Sequence, residues 1–118
     1  MKKIILTCIM LAAITGSVVA QSPHQNQNSF NIYIGKLSKA IDDKDLTVQN
    51  IDIKALIGLM DNSIAYLTAH PKGGVPNKNI PVETQIENYV KGLPTNKIIS
   101  DKATLISQLT QFANTMLN

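Results

Sequence analysis

The sequence predicts an all-α protein, a small single-domain bundle of about four helices. Apolar residues recur at helical spacing in four separate stretches, no stretch of comparable length alternates with a period of two, and the residues between the stretches are those that stop and start helices. The runs LTVQNI and NKIIS are compatible with extended backbone, but two short runs do not make a sheet core.

Residues 1–20, MKKIILTCIMLAAITGSVVA, have the pattern of a secretory signal: Lys2 and Lys3, a largely apolar run from Ile4 to Ile14, and the small-residue site Val18-Val19-Ala20. A membrane span needs roughly 20 continuous apolar residues, and Thr15, Gly16 and Ser17 interrupt this run earlier. Cys8 lies inside the run with a dozen leader residues after it, which is the wrong place for a lipidated cysteine that must become the first residue after processing. The processed chain is expected to begin at Gln21, in the periplasm or outside the cell, with no stable membrane span left.

Loss of the leader changes the chemistry. Of eleven basic residues, all Lys, two leave, so nine face eight Asp and Glu and the net charge is near +1. Without Arg there is no bidentate fork for bases or phosphates, and without a basic block nucleic acid is not an expected partner. The single Cys leaves too, which excludes a disulfide and thiolate metal ligands. Stability must then come from apolar packing, and roughly 90 orderable residues supply one modest core.

Residues 21–28 are polar, contain Pro23 and carry no apolar stripe, so they read as a flexible tail before a helical domain over residues 29–118. His24 in that tail is not placed as a copper ligand, because it is fourth after the expected cut and Pro23 lacks an amide hydrogen. Phe30, Tyr33, Ile34, Leu37 and Ile41 then predict a first helix over about 30–42 with Ser29 as its cap, ended near Asp42, Asp43 and Asp45. Ile53, Leu56, Ile57, Met60, Ile64 and Leu67 predict a second, capped by Asp52 and stopped at about Ala69 by Pro71.

Leu59 and Tyr66 lie roughly 60–80° off the second stripe at 100° per residue, which makes them either a broad packing face or an exposed partner surface. Val82, Ile86, Tyr89, Val90 and Leu93 predict a third helix with Glu83 in its favourable first turn. Leu105, Leu109, Phe112 and Met116, widened by Ile106, Ala113 and Leu117, predict a fourth after the caps Ser100 and Asp101.

The stretch HPKGGVPNKNIPVE holds the only Gly pair and three prolines. A phosphate loop needs Gly followed by Lys and Ser or Thr at a helix start, whereas here Lys72 precedes the glycines and Pro76 follows them. Its reading is a connector built for distance: about eleven residues reach at most roughly 36–40 Å, against about 27 Å for an 18-residue helix. It is expected to run back along the second helix or to wrap the bundle, without a tight hairpin. Long ordered loops on helical scaffolds also carry function, which makes His70, Lys72, Lys78 and Asn79 candidate binding residues, with His70 closing the helix before it.

Other chemistries fit poorly. Asp43, Asp45 and Asp52 fall at the third, fifth and twelfth positions of a calcium-loop register, but Ile41 takes the first ligand position and Leu46 the glycine turn. No nucleophile stands in a recognisable setting. Glu83 and Glu87, one turn apart, are accounted for by the helix start and by solubility in preference to acid–base work. Met60 and His70 are ten apart and do not share a face for haem, and the aromatic residues sit on or beside helical stripes, which favours packing over sugar stacking.

The expectation is therefore an exported helical protein, not an enzyme and without cofactor or metal, that acts by binding another protein as an inhibitor, immunity or envelope accessory factor, with self-association as a variant. Its candidate surface is Leu59, Tyr66, His70, Lys72, Lys78 and Asn79. The alternative is a periplasmic carrier that holds a small apolar ligand between its helices.

Overall fold

The computed structural model describes residues 21–117, and the expected leader with Cys8 lies outside them. Among the described residues there are four helices and no strand: α1 Pro23–Asp42, α2 Leu46–Ala69, α3 Ile80–Lys91 and α4 Lys102–Thr115. α1 and α3 each pack against both α2 and α4, so α2 and α4 stand on one diagonal of a four-helix ring. Successive helices are antiparallel. The end of α1 meets the start of α4 through Asp42 and Lys102 (2.7 Å), and the end of α2 meets the start of α3 through Ser63 and Glu83. No helix among the described residues is long and apolar enough to cross a membrane.

The stripes read from the sequence form the core. Phe30, Leu37 and Ile41 of α1, Ile53, Leu56 and Met60 of α2, Ile86 and Val90 of α3, and Leu105, Leu109, Phe112, Ala113 and Met116 of α4 are buried in one cluster. Phe30 and Phe112 stack with ring centroids 5.2 Å apart, joining α1 to α4. Leu117, expected to widen the α4 stripe, is exposed beyond the end of that helix.

Two boundaries differ from expectation, each because a polar group starts or holds a helix where apolar periodicity is missing. Residues 23–28, expected as a tail, are the first turns of α1. Pro23 stands at the first helical position, where its missing N–H costs nothing, and is buried. The Gln25 side chain accepts from the Ser22 N–H (3.2 Å), the reach-back half of a capping box. The Asn62 amide of α2 then clamps the Gln21 backbone, donating to its carbonyl (2.9 Å) and accepting from its N–H (3.1 Å). Ser29 is thus interior to α1, and His24 is an exposed residue of its first turn.

α2 begins at Leu46, with Asp45 as the cap accepting from Val48 N–H (3.1 Å), so LTVQNI is helical and Asp52 is a buried interior residue. The three-residue turn before it closes α1 with paired reverse hydrogen bonds, Asp45 N–H to Ala40 O (2.9 Å) and Lys44 N–H to Ile41 O (3.1 Å). That closure needs a left-handed residue, and Lys44 supplies it at φ 56°. Asp43 meanwhile pairs with Lys39, so the calcium register is divided among a surface ion pair, a helix cap and a helix interior.

The segment between α3 and α4 is held by α2. Gln49, fully buried, donates from Nε2 to Lys97 O (3.1 Å) and accepts from Ile99 N–H at Oε1 (3.0 Å), replacing the backbone partners a neighbouring strand would give. Asn50 adds a bond to Thr95 O (2.8 Å). NKIIS is non-helical and has no strand partner among the described residues, and a side-chain amide satisfies it instead. Asp101 then caps α4 through Thr104 N–H (3.0 Å), and this bond holds the Asp101 carboxyl below its usual range.

Two outcomes follow. Gln49→Ala, which leaves the Lys97 carbonyl and Ile99 amide unpaired in the interior, is expected to cost about 2–3 kcal/mol in urea unfolding, whereas Gln111→Ala on the exposed face of α4 leaves the midpoint unchanged. Lys44→Gly, which relieves a left-handed side-chain residue, is expected to raise stability by about 0.5–1 kcal/mol in the same assay.

Candidate functional site

The connector between α2 and α3 does not span distance. Gly73 and Gly74 have φ of 59° and 76°, the two consecutive left-handed residues of a tight reversal, and Val75 N–H bonds back to Lys72 O (3.0 Å). A second turn follows, in which Asn77 Oδ1 accepts from Asn79 N–H (2.8 Å) and Asn77 O from Ile80 N–H (3.2 Å). The expectation of a long run along α2 is thereby corrected. The glycines consume the connector's length in turns, and α3 starts beside the end of α2.

This folded connector, the end of α2 and the start of α1 enclose a surface cleft of about 700 Å³. Its lining includes Tyr66, His70, Lys72, Lys78 and Asn79, five of the six candidate residues, together with Ser22, Pro23, Leu67, Val75, Pro76 and Asn77. Leu59, the sixth, is half-buried, packs on the core and does not line the cleft. Ser22 and Pro23 are additions that the tail reading concealed. Their signal was present in Ser22-Pro23-His24-Gln25, a cap, a first-turn proline and a glutamine three residues after the cap.

At the cleft wall His70 stacks on Tyr66, ring centroids 4.0 Å apart and 16° between planes. Nδ1 of His70 lies 2.8 Å from the Tyr66 carbonyl, which can only accept, so Nδ1 carries the hydrogen and closes the end of α2. Lys72 and Lys78 supply the charge, and no Asp or Glu lines the cleft. The starts of α1 and α3 border it with the positive ends of their dipoles, and the end of α2 brings one negative end, whose Tyr66 carbonyl is taken up by His70. The environment suits a negatively charged group that carries some apolar surface.

A second cleft, about 380 Å³ at the α1–α2 turn, mixes Lys36 and Lys39 with Asp43, Asp45 and Asp52. Burial raises the Asp52 carboxyl above its usual range, with Lys36 opposing and Asp45 adding to the shift. Among the described residues no group of three or more His, Cys, Asp or Glu side chains is placed to hold a metal ion.

Glu83 and Glu87 depart most from expectation, since both are buried, at 0% and 6% exposure, instead of facing solvent at a helix start and surface. Glu83 Oε1 accepts from the Ser63 hydroxyl of α2 (2.8 Å), and Oε2 contacts the Thr115 hydroxyl of α4. Thr115 Oγ1 also lies 2.6 Å from the Phe112 carbonyl. The Thr115 hydroxyl thus stands between two acceptors, the Phe112 carbonyl of its own helix and the Glu83 carboxyl, and its one hydrogen is shared between them. Burial pushes the Glu83 carboxyl above its ordinary range, against the two hydroxyl contacts.

Glu87 lies one turn further along. Its Oε2 has no ordinary hydrogen-bond partner, and Lys91 Nζ approaches only to 3.6 Å from Oε1 while standing 3.5 Å from Asp61. Burial first, and then the Asp61 carboxyl beside it, push Glu87 up to about 7. Neither glutamate lines either cleft, so the pair is not presented to a substrate there.

No family model matches the chain, and no curated protein or solved structure matches it.

The glycine turn is expected to be required for the cleft alone. In a Gly73→Val/Gly74→Val variant, NMR shift changes should be confined to the cleft residues and the helix positions bordering them. The α4 core signals of Leu105 and Leu109 should stay in place, because no side chain is within 4 Å of a Cβ added at either glycine and the strain lies in the backbone alone.

Proposed function

We propose that the chain is an exported protein that acts by binding another protein, and that the cleft at the α2–α3 connector takes an acidic segment of that partner. The observation that carries this reading is the convergence of Tyr66, His70, Lys72, Lys78 and Asn79 on one cleft without a carboxylate. Cations on exposed stems attract and register an acidic chain. The stacked Tyr66–His70 pair, with Val75 and Pro76, offers apolar contact area beside them. Export is supported by the leader pattern of residues 1–20. The alternative of an apolar-ligand carrier gains nothing from the two clefts, both of which are at the surface and lined by charged side chains.

The test is a photo-crosslinking residue placed at Lys78, in the cleft, and separately at Ser107, exposed on α4, in intact cells. A discrete protein adduct from position 78, absent from position 107 and lost when Lys72→Glu is added, is the expected result. Equal adducts from both positions, or none from 78, would overturn the reading.

A further inference from the structure

The seam along α3 carries a second property, independent of the cleft. α3 is held between α2 and α4, which lie on one diagonal of the bundle, and the Glu83 carboxyl fastens it to both. Glu83 lies fully buried between the hydroxyls of Ser63 and Thr115, with no side-chain cation against it among the described residues. One turn on, Glu87 is buried with an oxygen that lacks a donor, and it shares a single ammonium, Lys91 Nζ, with Asp61 at 3.6 and 3.5 Å. Burial of this kind favours the neutral form of a carboxyl.

We propose that this seam is a proton-operated latch: protons on Glu83 and Glu87 keep α3 docked, and their loss as the pH rises frees the helix.

The charges around the seam set the order of events. Facing Glu87 are Asp61 on α2 and Lys91 on α3 itself, and the ammonium is half-exposed and shared between the two carboxyls, so it offsets only one of them. Facing Glu83 are only the Ser63 and Thr115 hydroxyls. The sole ionisable side chain of α4, Lys102, is at its opposite end and paired with Asp42. A charge formed on Glu83 has no side-chain cation to meet it; only the positive end of α3, in whose first turn it stands, offsets part of the cost of burying it, and the remainder falls on the docking of α3.

Burial raises both glutamates, and Glu87 reaches about 7. Between the unfolded glutamate range and that value the folded chain holds more protons than the unfolded one. The stability contributed by the seam is thus fully present below the unfolded glutamate range, is lost progressively as the pH rises from there to about 7, and stays lost above it.

Amide hydrogen exchange of the protein, corrected for the intrinsic pH dependence of exchange, tests the latch. Protection of residues 84–91 is expected to fall about tenfold or more relative to residues 30–41 of α1 between about pH 5.5 and about pH 8. Glu83→Gln/Glu87→Gln keeps the neutral hydrogen bonds and should hold α3 protection constant over that range. Parallel loss in α1 and α3, or an unchanged pH dependence in the double variant, would overturn the proposal. Carboxyl 13C titration of the unmodified protein decides the matter even if the variant fails to fold. Midpoints for both glutamates above the usual carboxylate range support the latch, and ordinary values exclude it.

Discussion

A buried carboxylic acid joins two helices that lie diagonally across this bundle. Glu83 on α3 reaches Ser63 of α2 on one side and Thr115 of α4 on the other. An ionised carboxylate there would lack any side-chain cation and would cost several kcal/mol to bury, whereas a neutral acid with two hydrogen-bonded partners costs little and specifies register. The hydrocarbon core, in which Phe30 stacks on Phe112, contributes most of the stabilisation. The acid decides which turn of α3 faces which turns of its neighbours.

The two ends of the bundle are managed differently. At one end, side-chain amides and reverse hydrogen bonds hold irregular backbone tightly, with Gln49 and Asn50 fastening the α3–α4 segment and Lys44 accepting a left-handed conformation to turn α1 into α2. At the other, two glycines and two asparagines fold the α2–α3 connector into successive turns that leave a cationic cleft open. Glu83 sits just inside that second end, so the proton-bearing seam and the cleft share the start of α3.

The helices were legible wherever a helix pays for its order with apolar area. The α4 stripe of Leu105, Leu109, Phe112 and Met116 is fully buried as its spacing implies. Legibility failed where polar side chains did the ordering. The start of α1 has no stripe and is held by Pro23, Gln25 and the Asn62 clamp. The start of α2 contains β-branched residues whose weak helix preference is overridden by the Asp45 cap and the burial of Gln49. Within the cleft, His70, Lys72, Lys78 and Asn79 were recognisable from their loop, but Ser22 and Pro23 come from a segment more than forty residues earlier, and no local pattern joins the two.

By itself the sequence determined the helical class, the four apolar stripes, a leader pattern and the absence of any thiol after residue 20. These follow from periodicity and composition, which are properties of neighbouring residues. Only the tertiary structure decided that Glu83 and Glu87 are interior acids and that a connector long enough to span the bundle folds back on itself beside α1. The protonation state of a carboxyl and the shape of a cleft depend on what distant helices place beside them, and a carboxylate in sequence carries no mark of whether water or another helix will face it.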